Sequence, residues 1–383
     1  MEHPCKPPFR PSELTLAQIR GSIPPRLFER HAMTSLYYLG RDLIQAVLLG
    51  AVMVMIDNYL CSISPTVISW WFQGLTFTGI WVIGHECGHG AFSSSSALSN
   101  TIGFVLHTLL WTPYFSWKIS HHRHHANHAS MEYDEVYVPK TRSDLGIPME
   151  SQSSPINYSE YFEDTPLYTL VMLIRQQPLA FPAYLLWNVS GQKQYARWTN
   201  HFNPNAPIFR DHQFWDVVLS NLGIGSMALL TLSICNYIGF GTVVKYYGIP
   251  WLLVTHWFVM ITYLHHTTPY IPHYRKEAWS YVRGAAATVD RNFIGWQGRW
   301  FLHDVAHFHV IHHFFPMMPW YHGQEATEYL KKCLGDSYLF SAEPVFQELW
   351  RSYNECQFVE DEGAIVFYKN KKGKAHIGND ILS

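Results

Sequence analysis

His121-His122-Arg123-His124-His125 sets three imidazoles at positions i, i+3 and i+4, and on a helix of about 3.6 residues per turn those positions share one face. The spacing returns at His309-Val310-Ile311-His312-His313, and His85-Glu86-Cys87-Gly88-His89 supplies an i, i+4 pair. Each cluster is expected to aim its imidazoles at a single spot, and three such faces meeting make a nitrogen-rich metal site. Neutral imidazole is a common metal ligand, and eight of them exceed the roughly four to six positions around one ion, which asks for two metals. The clusters run from residue 85 to residue 313, so most of the chain folds as one catalytic unit around them.

The 383 residues are 48% hydrophobic and 16% aromatic with 15% charged, against about 25% charged in an ordinary soluble domain. Two apolar runs, 36–56 and 66–83, each approach the roughly 20 residues that cross a bilayer, and the link at 57–65 suits a tight antiparallel hairpin. A second pair, 217–234 and 249–264, is separated by a Gly/Tyr-containing turn at 237–248. The segments 102–115 and 167–186 are also apolar, but Pro113, Arg175, Pro178 and Pro182 interrupt them, which predicts helices lying in the interface. The fold class is therefore an all-α membrane protein, with four transmembrane helices in two hairpins and a cytosolic helical cap that carries the metal site. Residues 1–35 form a cytosolic leader, 36–345 the integral membrane domain and 346–383 a cytosolic tail, solvated beyond about Glu360.

Orientation follows from the basic residues. Lys6, Arg10, Arg20, Arg26, Arg30 and Arg41 precede or edge the first span, Lys118, Arg123, Lys140 and Arg142 follow the second, and Arg275, Lys276, Arg283, Arg291 and Arg299 follow the fourth. The hairpin turns hold only Lys245, so both termini and all three clusters are expected in the cytosol. Lys plus Arg (27) nearly balance Asp plus Glu (29), so no nucleic-acid partner is expected. Cys5, Cys61, Cys87, Cys235, Cys333 and Cys356 show no disulfide framework or C-x-x-C zinc site. The leader, with Pro4, Pro7, Pro8 and Pro11, is not a secretory signal peptide, and the sequons at Asn157 and Asn188 are expected to carry no glycan.

Two other classes compete. His85-Glu86-Cys87-Gly88-His89 satisfies H-E-x-x-H, in which Glu86 is the general base of a zinc protease, but one zinc with three protein ligands leaves most of the other clustered histidines unexplained. A metal carrier places its ligands inside the spans near the midplane, whereas these clusters lie beyond them. Glu86-x-x-His89 is also half of a carboxylate di-iron pattern, without a convincing second copy. His122 points to the side as a surface residue, and His107, His128, His201, His256 and His303 read as structural or supporting.

The three clusters resemble the histidine boxes of membrane fatty acyl desaturases, in particular the oleate Δ12 group of fungi and plants. Asp134-Glu135-Val136-Tyr137-Val138-Pro139, Asn188-Val189-Ser190-Gly191, His201-Phe202-Asn203-Pro204-Asn205-Ala206-Pro207-Ile208, Ile261-Thr262-Tyr263-Leu264, Ala287-Thr288-Val289-Asp290-Arg291, Glu325-Ala326-Thr327 and the leader segment 14–30 carry the same likeness. It implies a di-iron centre of two Fe ions and a ninth ligand at His266, giving His85, His89, His121, His124, His125, His266, His309, His312 and His313 as metal ligands and catalytic residues. His265, where glutamine is usual, is a second-choice ligand. The resemblance further implies an oleoyl chain, phospholipid-bound, in a bent apolar tunnel, a cis double bond placed at Δ12 to give linoleoyl, and an endoplasmic reticulum membrane. Removing hydrogen from an unactivated methylene needs dioxygen activated at a metal. Its reduction to two waters takes two electrons from the substrate and two from outside. No His-Pro-Gly-Gly haem segment occurs, so a separate cytochrome b5 with its reductase is the expected donor.

The chain departs from the Δ12 pattern at Gly84, where alanine is usual, at Ile311 inside the third cluster, and at His307-Phe308, where an Asp-Thr pair is usual. Asp304 is expected to orient a ligand imidazole, and Ile311 and Phe308 to tilt the acyl chain. Because positioning governs the outcome, an acetylenase, conjugase or Δ12 hydroxylase is the alternative on this scaffold.

Overall fold

The computed structural model describes residues 11–59, 63–149 and 155–377. Cys5, Cys61, Lys6, Arg10 and the prolines at 4, 7 and 8 lie outside them; Cys87, Cys235, Cys333 and Cys356 are free thiols.

The helices are α1 (Leu16–Ser22), α2 (Ala32–Tyr59), α3 (Ile63–His89), α4 (Ser96–Leu109), α5 (Tyr114–Asn127), α6 (Pro166–Trp187), α7 (Phe214–Ile238), α8 (Phe240–His266), α9 (Tyr281–Ala286), α10 (Trp296–Phe301), α11 (His309–Phe314), α12 (Gly323–Leu334) and α13 (Val345–Glu355). Four of them, α2, α3, α7 and α8, are long and apolar enough to cross a membrane. α3 and α8 pack on each other at the centre, α2 packs on α3 and α7 on α4 and α5, and α2 and α7 turn Ile44, Val47, Leu48, Leu222, Leu229 and Leu232 outward. Apolar side chains exposed along a whole helix face suit lipid, not water.

The second hairpin turn is tighter than the expected 237–248. Gly239 alone breaks the chain, at φ +90°, where a side chain would be strained. The helix restarts at Phe240 and passes through a π-helical stretch, Val244–Gly248. Lys245 and Tyr246 of that stretch reach Asp57 at the end of α2, and Trp70 donates to the Lys245 carbonyl at 2.8 Å, which ties the two hairpins together.

Pro113 does divide the 102–115 segment: α4 ends at Leu109 and α5, bearing the second cluster, begins after the proline. Pro178 and Pro182 do not interrupt α6, which runs 22 residues. An internal proline costs a helix bond. Packing against α8 compensates, through Phe181 on Phe258 (ring centroids 4.4 Å apart) and a Gln177–His256 hydrogen bond of 3.1 Å.

The cap is built from α9 to α13 with α1 laid on it; Ile19, Leu27, Val310, Ile311, Phe314 and Leu330 form its buried apolar cluster. Arg291, in the short strand β2 (Asp290–Arg291, following β1 at His273–Tyr274), donates to the Leu264 carbonyl at the end of α8 and pairs with Glu348 of α13 at 3.0 Å. β2 runs parallel to β3 (Phe340–Ser341), and β1 pairs antiparallel with β4 (Ile365–Val366). The segment after Glu360 is therefore packed, contrary to the expected solvated tail. Val366 and Tyr368 are buried beside Met131, Arg142 grips Glu360 at 2.7 Å, and Lys371 donates to the Glu163 carbonyl. Ile365-Val366-Phe367-Tyr368 supplies the apolar surface that the surrounding lysines mask in the sequence.

Candidate metal centre

Helix ends deliver the histidines to one region. α3 carries His85 and His89 on its last turn, α5 presents His121, His124 and His125, α8 ends on His266, and α11 brings His309, His312 and His313. Asp290 anchors α11 by accepting the Val310 N–H at 2.7 Å and the Tyr338 hydroxyl.

The nine residues fall into two groups. His85, His89, His121, His125 and His312 converge in one; His266, His309 and His313 converge in the other, where His124 meets His266 and His128. In the first, the His85 and His121 Nε2 atoms lie 2.9 Å apart, His89 and His85 3.2 Å, and His125 and His121 3.1 Å. In the second, His309 Nε2 lies 3.3 Å from His266 Nε2 and 3.2 Å from His313 Nε2. Two nitrogens each about 2.1 Å from one ion and at right angles to it are about 3.0 Å apart, so both groups suit a shared ion. The buried His312 Nε2, which has no hydrogen-bond partner among the described residues, fits the same assignment.

Outer partners hold the rings in place by their far nitrogens. His124 Nδ1–H donates to Asp134 at 2.7 Å, His85 Nδ1 lies 3.0 Å from Glu86 with His312 Nδ1 at 3.7 Å from the same oxygen, and His309 Nδ1 faces the Val305 carbonyl at 3.1 Å. Thr288 Oγ1 stands 3.4 Å from His266 Nδ1. Such contacts fix the tautomer and aim Nε2 inward. Burial, reinforced by neighbouring imidazoles, pushes His121, His125, His309 and His313 well below the usual histidine range, which keeps these rings neutral as ligands must be. Burial drives the Asp134 carboxyl upward, yet the His124 ring beside it and hydrogen bonds from His124 and His128 outweigh that and hold it far below the ordinary carboxylate range.

An apolar cavity of about 270 Å³ runs from these rings between α3, α6 and α8. Trp81, Phe181, Tyr184, Phe258 and Tyr263 line it, and His85 and His121 of the first group join His124, His266 and His309 of the second at its wall. Tyr137 and Thr262 close one side with a hydroxyl–hydroxyl bond of 2.7 Å.

The fatty acid desaturase family model matches residues 63–343. A Delta(12) fatty acid desaturase of Mortierella isabellina is 43% identical over 365 residues, 93% of this chain and 91% of that protein. The chain belongs to the fatty acid desaturase family. A Delta(12)-oleate desaturase of Trichosanthes kirilowii is 41% identical over 96% of the chain and 97% of its own length, and the oleoyl-12-hydroxylase FAH12 of Ricinus communis 39% identical over 96% and 92%.

Several finer expectations for this desaturase change. The triads do not each address one spot: His121 and His125 face the first group and His124 the second, while His309 and His313 face the second and His312 the first. His265 is occupied, its ring nitrogens set against the carbonyls of Ile261 and Ala306 (2.9 Å to the latter). Asp304 lies 3.5 Å from His307 and 3.3 Å from Arg299, and makes no ion pair with a clustered histidine among the described residues. The carboxylates that do are Glu86, weighed in the sequence as a base, and Asp134, which no local pattern distinguishes from Glu135. Ile311 and Phe308 line a separate small pocket with Glu86, His312 and Trp320, and neither lines the 270 Å³ cavity. Gly84 is explained by packing: a Cβ there would stand 2.3 Å from the His107 ring, which is stacked on Trp81 and bonded to its carbonyl at 3.1 Å. His201 and His303 serve structure as expected, bonding Ser120 and Asp42. His128, read as supporting, donates to or faces Ala287 and Asp134 while its ring touches the second group.

Proposed function

We propose that this protein is an oxygen-dependent acyl-lipid desaturase that places a cis double bond at Δ12 of a phospholipid-bound oleoyl chain. The observation that carries the reading is the apolar cavity whose wall is shared by both imidazole groups. His85, His89, His121, His125 and His312 would hold one iron, and His124, His266, His309 and His313 the other. Such a pair, when bound, would supply dioxygen activation and the abstraction of hydrogen from the methylene carbon.

The chain's residues do the rest. Trp81, Phe181 and Phe258 exclude water from the methylenes and fix which carbon faces the rings; a misplacement of about an ångström redirects such a reaction. Asp134 and Glu86 keep the imidazoles in register. The substrate yields two electrons, and a separate cytochrome b5 served by its reductase yields the other two. We place the protein in the endoplasmic reticulum membrane with both termini cytosolic and residues 36–345 as the catalytic unit. Two features favour desaturation over the alternative outcomes: Gly84 answers to His107, and Ile311 and Phe308 lie off the cavity.

The test is expression in a yeast that makes no polyunsaturated acids, followed by profiling of fatty acid methyl esters. Linoleate is the expected product; an alkyne, a conjugated diene or a 12-hydroxy acid would assign the other outcome, and a profile unchanged from the host would refute the reading.

A further inference from the structure

A second recess, of about 360 Å³, opens between α4, α5 and the start of α7, on the side of α5 opposite the acyl cavity. Phe115, Lys118 and His122 line the recess, whereas Trp117, His121 and His124 line the cavity. Its charged lining comprises Lys118, Arg123 and Arg210 against Asp216, three cations to one carboxylate. Arg123 is paired with Glu135 at 3.0 Å and Lys118 is held by Asn100 at 2.7 Å; exposed Arg210 has no ion pair among the described residues.

His122 connects this recess with the metal-binding rings. It is exposed at the recess wall, its Nε2 meets the Gly88 carbonyl at 2.9 Å, and its ring stacks on that of His89 with centroids 5.4 Å apart and planes 27° apart. A surface imidazole is thus one ring removed from the first group.

We propose that this recess is the docking face for an acidic one-electron carrier protein, with Arg210 and Lys118 steering it and His122 lying on the electron's path to His89. The proposal rests on the reading that two electrons per turnover come from outside. Each encounter oxidises the carrier by one electron and reduces the metal centre by one. Two encounters, two protons from water and two hydrogens from the acyl chain balance the reduction of dioxygen to two waters. A substrate headgroup is a poorer occupant, because a lipid whose chain fills the acyl cavity meets α5 from the other side. Opposed charge raises encounter rate and is screened by salt, whereas an exposed arginine with no ion pair among the described residues contributes little to the fold.

The test titrates full-length protein in detergent with the soluble domain of cytochrome b5, at low and at physiological ionic strength, and follows the oxidation of that domain after mixing. Arg210→Glu is expected to weaken binding and slow cytochrome oxidation by about tenfold at low salt and to flatten the salt dependence, with Arg210→Lys within about twofold of wild type. The same weakening is expected in iron-depleted protein, since docking precedes electron transfer. If Arg210→Glu binds as wild type does, the docking face is wrong and the external donor stands. If wild type neither binds nor oxidises the cytochrome, both fall. Loss of retention on anionic vesicles by Arg210→Glu, with cytochrome affinity unchanged, would assign the recess to lipid headgroups and overturn the proposal.

Discussion

Replacing Asp134 by asparagine removes a charge while keeping the shape, and its effect can be worked from the bonds. Oδ1 accepts His124 Nδ1–H at 2.7 Å and the Val136 N–H at 3.2 Å, and Oδ2 accepts the Ala129 N–H at 2.9 Å. An amide offers one acceptor oxygen. With that oxygen toward His124, the NH₂ group faces the Ala129 donor, and a buried donor left unpaired costs about 1–3 kcal/mol. The His124 bond also falls from charge-assisted, about 1.5–3 kcal/mol, to neutral, about 0.5–1.5. Together the loss is roughly 2–4 kcal/mol, divided between the fold and the second imidazole group. The share falling on the metal is expected to lower affinity there by about 10–100-fold, the range for an outer partner of a ligand imidazole. Purified Asp134→Asn dialysed against graded chelator, with iron per chain read by elemental analysis, should lose one ion early and keep the other to the wild-type midpoint. Retention of both ions at the wild-type midpoint, with full turnover, would refute the reasoning that Asp134 orients His124.

Four further perturbations separate packing, cavity and charge. Gly84→Ala should destabilise by about 1–3 kcal/mol in thermal unfolding, because the new methyl meets the His107 ring, and Gly84→Ala with His107→Ala should recover much of that loss. Ala180→Phe, which fills the acyl cavity from α6, should cut product formation severely while leaving iron content unchanged; equal losses of both would place Ala180 in the fold instead. Arg291→Met leaves Glu348 to Arg351, 2.8 Å away, and strands the Leu264 carbonyl in the interior, so a loss of about 1–3 kcal/mol is expected, measurable as a fall in melting temperature and in folded yield. Burial pushes His273 down to about 3, so the folded state binds fewer protons than the unfolded chain below about pH 6.5. The stability this contributes is complete above that pH and drains by about 1.4 kcal/mol per unit as pH falls toward 3, and His273→Gln should remove that one-proton slope from a pH series of unfolding free energies.

The spans were legible because a bilayer imposes a length, and runs of about 20 apolar residues have few other uses. What escaped reading depended on partners distant in sequence. α6 survives Pro178 and Pro182 because Phe258 and His256, some 75 residues later, pack against it. The segment beyond Glu360 is held by strand β1 and by Arg142, and its lysines gave no sign of that. His265 and His266 are neighbours with the same chemistry, and what sets them apart is the carbonyl of Ala306, which His265 Nε2 faces at 2.9 Å while His266 joins the imidazole groups.

Positions i and i+4 are offset by about 40° around a helix, while i+3 stands about 100° from i+4. Treating all three as one face hides that difference. In α5 and α11 the i, i+4 pair stays together and the i+3 histidine crosses over: His124 leaves His121 and His125, and His312 leaves His309 and His313. Each triad thereby contributes to both groups, and α3, which has no i+3 histidine, contributes to the first alone. The H-x-x-H-H spacing is therefore what a helix running alongside two adjacent centres requires, and α5 and α11 are held at a fixed separation by any pair of ions bound between them. A chain that bound a single ion would have no use for the crossing residue.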